Sequence, residues 1–231
     1  MFVPLRDQNP LKLIPFEIVN VGLIAIAVSV FVVYQSGLVL APEEQQFAFA
    51  LIPAVYVDTM TMPDNFLAVP DGLTLITYQF MHASWLHLGT NMLFLWVFGD
   101  NVEDAFGHLS YLAFFLLCGA AAGALHVYVE PGSQVPLVGA SGAIAGVIAA
   151  YLLLHPRVKL WVLVMWRLPL RIPAYLAIGV WIALQFASVA LSTPEDEVAW
   201  WAHIGGLGAG FVLTPLMKRR SVALFDRGVA H

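Results

Sequence analysis

Apolar residues in this chain gather in long runs and do not alternate with polar ones. Six runs approach the roughly 20 residues that a membrane-spanning helix needs. They cover about 16–38, 75–98, 109–129, 135–154, 172–191 and 198–217. The first is too long for a signal peptide and lacks a small-residue cleavage pattern, so it reads as a retained helix. Two further stretches, 47–57 and 160–166, are apolar but too short to span. Pro53 interrupts the first, which is expected in the outer interface; the second lies between basic residues and is expected at the inner interface.

Charge orients these runs. Arg6 and Lys12 precede the first span, and Arg157, Lys159, Arg167 and Arg171 separate the fourth from the fifth. Lys218, Arg219, Arg220 and Arg227 follow the sixth. The loops after spans one, three and five hold only acids: Glu43, Glu44, Asp58, Asp64, Asp71, Glu130, Glu195, Asp196 and Glu197. Basic residues stay on the cytoplasmic side. Six spans put all ten basic residues on one face, with both termini in the cytoplasm.

Composition agrees, with 60% of the 231 residues hydrophobic and 11% charged, against about 25% charged in soluble domains. The expectation is an all-α membrane protein, a six-helix bundle forming one domain over 1–231. Its core covers about 73–217, with cytoplasmic tails at 1–15 and 218–231. Cys118 is the single cysteine, which excludes an intrachain disulfide and a cysteine-based metal site.

Polar residues inside such runs are functional candidates by default. Ser141 sits between glycines in Gly139-Ala140-Ser141-Gly142, with Gly146 one turn on. A helix from Ser141 to Leu154 covers about 14 residues and roughly 21 Å, short of a core about 30 Å thick. It therefore begins below the outer surface, and the irregular backbone before it needs protein shielding or a wet cavity. Its first N–H groups suit an oxyanion. A packing seam containing a serine is the structural alternative.

His203 precedes Gly206 and Gly210, a G-x-x-x-G pair that permits close helix approach. Packing against the glycines of the fourth span brings His203 to Ser141. His87 and Asn91 share one helix face at i, i+4 and donate hydrogen bonds without fixed charge. An interhelical hydrogen-bond pair is their structural alternative. Gly99-Asp100-Asn101-Val102-Glu103-Asp104 lies at the opposite end of that helix, where capping or bracing is expected. By topology, Ser141, His203, His87 and Asn91 share the outer half of the membrane. No carboxylate lies at that depth, so a Ser–His dyad is expected rather than a triad.

These residues resemble the rhomboid family of intramembrane serine proteases. The resemblance runs from about 73 to 210 through H-x-x-x-x-H-x-x-x-N, G-x-x-V-E-D, G-A-S-G and A-H-x-x-G-x-x-x-G, in the family's order. It implies Ser141 as nucleophile and His203 as general base. It implies an oxyanion hole of His87, Asn91 and the Ser141 N–H, with His82, Gly139, Gly142, Gly206 and Gly210 supporting. It implies cleavage of transmembrane proteins near the outer side of the bilayer, without metal or cofactor, and a gate at the fifth span and the loop 192–200. The partners expected are the bilayer and transmembrane substrates, with no nucleic acid and no metal. The location expected is a bacterial inner membrane.

Two positions depart from the family pattern. Leu73-Thr74 stand where Trp-Arg is common, and Ala145 stands where an aromatic often packs on the histidine. Trp200 and Trp201 are the candidates to replace that aromatic. The alternative reading is a rhomboid-like protein, weakly active or inactive, that binds membrane clients. A channel would need polar residues across the whole bilayer. A metal site at His82, His87 and His203 would lack carboxylate or cysteine partners.

Overall fold

The computed structural model describes residues 2–38, 48–62, 69–164, 167–191 and 198–226. Six helices account for the six apolar runs. They are α1 (Ile18–Val30, continued by a π-helical turn Phe31–Gln35), α4 (Trp85–Phe106), α5 (His108–Val129), α6 (Ser141–Leu154), α7 (Ala174–Leu191) and α8 (Trp200–Met217). Two short helices, α2 (Pro53–Tyr56) and α3 (Asp71–Thr77), stand between α1 and α4. The architecture is a helical membrane bundle. Ile18–Gln35, α5 and α7 are long and apolar enough to cross a bilayer by length and composition.

The second run departs from its predicted bounds. Ser84 is extended, and its Oγ accepts the His87 N–H at 3.1 Å, so it caps a helix that starts at Trp85. Residues 75–84 instead form the end of α3, a 3-10 turn at Tyr78–Phe80 and an extended link. The helix then runs past 98 to Phe106 and carries Asp100, Glu103 and Asp104 with it.

Those acids brace the basal end. The Glu103 carboxylate accepts the N–H groups of Val19 (3.0 Å) and Asn20 (2.7 Å), which caps α1 from a neighbouring helix. Asp104 accepts from the N–H groups of Lys12, Leu13 and Ile14 at 3.0, 2.7 and 2.7 Å. Asn101 pairs with Asn9. The segment 9–14 is therefore docked on the end of α4. At the other terminus Phe225 and Asp226 donate to the last carbonyls of α6, Leu153 and Leu154, at 2.7 and 2.8 Å.

The basal side also holds a three-stranded antiparallel sheet, β1 (Phe2–Arg6), β2 (Lys159–Val164) and β3 (Leu168–Pro173), in that order. Phe2 pairs with Val164 and Lys159 with Pro173, and the β1 register shifts between Pro4 and Arg6. Residues 160–164 are thus a central strand with Leu160 and Val162 buried, where the sequence predicted an interfacial stretch. The stretch around α2 is packed on protein as well. Leu51 is fully buried and pairs with Leu137, and Ala50, Ile52 and Ala54 are buried beside it. This segment packs on protein, since its backbone groups find partners just before α6. Phe47, Trp166, Arg227 and the acids Glu43, Glu44, Asp64, Glu195, Asp196 and Glu197 lie outside the described residues.

α6 is the axis of the bundle. All of its residues are buried except Ser141, Leu152 and Leu153. It packs against α4, α5, α7 and α8. Small residues set its closest contact. A Cβ on Gly206 would collide with the Gly142 carbonyl, and one on Gly210 with the Gly146 carbonyl. α6 and α8 therefore meet at backbone distance, as the glycine spacing predicted.

Candidate active site

The site begins where α6 begins. Leu137 exchanges hydrogen bonds with Leu51 (2.8 and 3.1 Å), and the Gly139 N–H donates to the Tyr78 carbonyl at 3.0 Å. Tyr78 is itself held by its hydroxyl, which donates to the Gly119 carbonyl at 2.7 Å. The irregular backbone below the predicted surface is thus satisfied by protein. Ser141 is the first residue of α6 and half-buried, and its N–H has no acceptor within the helix.

Gly139 is required twice over. Its φ is +119°, which side chains other than glycine rarely adopt. A Cβ there would also stand 2.7 Å from Cε1 and Nε2 of His87, with Asn91 Nδ2 at 3.6 Å. One face of α4 therefore lies directly over the turn that leads into Ser141. Asn91 is buried, and its Nδ2 has no hydrogen-bond partner among the described residues. The backbone N–H of Ala83 donates to His87 Nδ1 at 3.4 Å. Nδ1 is therefore the acceptor nitrogen, and the ring proton sits on Nε2, the atom that faces Gly139. His82 is fully buried and packs edge-on against His87 with ring centroids 5.2 Å apart. The backbone N–H of His82 donates to Gln35 Oε1 at 2.6 Å.

His203 reaches the same place from α8. The α6–α8 contact puts the Ala202 carbonyl 3.5 Å from where a Gly142 Cβ would be, so Ala202-His203 lies beside Ser141-Gly142. His203 Nδ1 is 2.8 Å from Gln185 Oε1 on α7. The Gln185 Nε2 donates to the Trp181 carbonyl at 3.1 Å, which fixes which end of the amide faces the histidine. An amide oxygen only accepts, so His203 Nδ1 carries the proton and Nε2 is the bare nitrogen. Trp200 packs edge-on to the ring at 5.7 Å, and Trp181 lies 6.3 Å away at 33°.

Ala145 is fully buried, and a Cβ on Gly206 would stand 3.3 Å from its methyl. Trp181 packs against the Ala145 cluster and takes up the aromatic contact from α7. Trp200 was anticipated from the sequence; Trp181 and Gln185 were not. A glutamine in an apolar span is the kind of residue that flags function, and that signal was present.

A sequence model of the Rhomboid domain matches residues 70–220. The chain belongs to the rhomboid family. Its relatives include Rhomboid-like protein 11, chloroplastic, of Arabidopsis thaliana, 30% identical over 69% of this chain and 58% of that protein. Rhomboid protein 1, mitochondrial, of Saccharomyces cerevisiae is 28% identical over 60% of this chain and 40% of its own length. The human presenilin-associated rhomboid-like protein, mitochondrial, is 31% identical over 55% and 33%. This rhomboid chain thus spans between about a third and three fifths of the length of these relatives. All three names carry an organelle and none a bacterial membrane, so the predicted bacterial inner membrane finds no support in them. What stands is a membrane protein of a family of intramembrane proteases.

Proposed function

We propose that this rhomboid is an active intramembrane serine endopeptidase, with Ser141 as nucleophile and His203 as general base. The observation that carries the reading is the opposite Nδ1 partners of two histidines whose helices pack beside one serine-bearing turn, a backbone N–H for His87 and an amide oxygen for His203. Those partners leave His87 Nε2 with a proton to donate and His203 Nε2 bare. A nucleophilic serine needs the second, and the oxyanion needs the first.

The chemistry follows from those roles. His203 Nε2 takes the Ser141 hydroxyl proton as Oγ bonds to the scissile carbonyl carbon. The carbonyl oxygen becomes an oxyanion and accepts from His87 Nε2–H, Asn91 Nδ2–H and the Ser141 N–H. The C–N bond then breaks, and the proton on His203 passes to the leaving amine. Water, deprotonated by the same nitrogen, hydrolyses the acyl-enzyme and returns Ser141.

The substrate is a transmembrane protein. The basic residues support a topology with both termini on the positive side and the site toward the acidic side. Residues with weak helix propensity near the outer end of a substrate expose its backbone to the serine. Entry is lateral, past α7.

A fluorophosphonate probe on purified protein tests the reading. Labelling is expected at Ser141, lost in Ser141→Ala and weakened in His203→Ala. No labelling, together with no cleavage of a reconstituted substrate, leaves client binding without hydrolysis.

A further inference from the structure

Gln185 is unusual on its helix. The buried residues of α7 are Ala174, Ala177, Ile178 and Gln185, so beyond Ile178 the glutamine is the only one. Its neighbours Leu184 and Phe186 are exposed on the bundle surface. Both functional ends of its amide are used: Nε2 on the Trp181 carbonyl one turn back, Oε1 on His203 Nδ1. A buried glutamine in an apolar helix is costly unless so paired, and here its acceptor is spent on one atom of the histidine. Trp181, on the same face at i−4, packs against that histidine as well.

We propose that Gln185 is the positioning residue of the dyad. It accepts the Nδ1–H of His203, locks the tautomer whose Nε2 is bare, and aims that nitrogen at Ser141. It does the orienting that a carboxylate performs in a triad, with a neutral group that the membrane interior tolerates. Because the acceptor comes from α7, the base is set only while α7 lies against α8. An outward movement of the outer half of α7 removes the acceptor from Nδ1, so gate position and base orientation are coupled. This inference rests on the proposed Ser141–His203 protease.

The test is the rate of fluorophosphonate labelling against pH, in wild type, Gln185→Met and Gln185→Glu. The methionine keeps length and loses the acceptor. Its plateau rate is expected to fall by about tenfold or more, the worth of one hydrogen bond that fixes the tautomer. The glutamate keeps the acceptor, so labelling is retained. Its carboxylate favours the imidazolium, so the acid limb of its profile moves to higher pH. Gln185→Met labelling at the wild-type rate with the wild-type profile overturns the proposal. If Gln185→Met does not fold, an unmoved acid limb in Gln185→Glu overturns it alone. Failure of the wild type to label at all overturns the protease reading instead, which separates the two.

Discussion

His87 and His203 have the same side chain, and neutral neighbours meet it in opposite ways. A backbone N–H donates to Nδ1 of one, and a glutamine oxygen accepts from Nδ1 of the other. Asn91 illustrates the cost of such a site. Its buried Nδ2 lacks a partner among the described residues, and an unmet buried donor costs about 1–3 kcal/mol. Asn91→Ala is therefore expected to lower kcat by about 10²-fold while leaving unfolding stability unchanged or raised. Detergent-solubilised kinetics and thermal unfolding of the same sample check both halves. Ser141, His203, His87 and Asn91 were legible in the sequence because each is a polar residue in an apolar run, beside spaced glycines or a helical partner. The Nδ1 partners of the histidines were not legible, since Gln185 reaches His203 only through the packing of α7 on α8 and Ala83 reaches His87 only through the bend before the α4 cap. Gln185 lies in no motif. Ala145 likewise signalled a missing aromatic, while its replacement on α7 is a tertiary contact between residues 181 and 203.

Among the elements, α6 is the one whose length has a direct consequence. Its fourteen residues, Ser141–Leu154, were predictable from glycine placement and hydropathy alone. The sheet was not. β1 and β2 are separated by most of the chain, and a short apolar run fits a strand or an interfacial segment equally well on periodicity. The limits of α4 were missed at both ends, at the start through the Ser84 cap and at the finish through acids that looked too polar to continue a span. Those acids now have a structural assignment. Glu103→Ala removes the acceptor of two α1 N–H groups and leaves them buried, so unfolding stability should fall by about 2 kcal/mol. Titrating the purified protein with denaturing detergent measures the loss. The folded fraction should keep its specific activity, because Glu103 lies at the basal end of α4 and His87 and Asn91 near the other.

Across the whole molecule the two faces divide the work. One end of the bundle gathers Ser141, His82, His87, His203 and Asn91. The basal end is tied by carboxylates, a sheet and the segments at 2–14 and 219–226. His155, just beyond α6, adds a pH response to that basal end. Burial is the main cause that lowers its pKa from the usual 6.5 to about 4. Between those values the unfolded chain takes up a proton that the folded chain refuses. The His155 contribution to stability is therefore full above pH 6.5 and falls as pH drops from there toward 4. The difference in thermal unfolding between wild type and His155→Gln across that range should show this slope. The proposed activity, cleavage within the bilayer through Ser141 and His203, belongs to the end opposite the basal one. The most direct measurement is cleavage of a single-span substrate, co-reconstituted with the protein in liposomes, with the product ends read by mass spectrometry. Wild type is expected to cut in the outer half of the substrate span, and Ser141→Ala and His203→Ala are expected not to cut. Equal cleavage by Ser141→Ala, or a substrate left intact by wild type that carries a fluorophosphonate-reactive Ser141, would contradict the proposed activity.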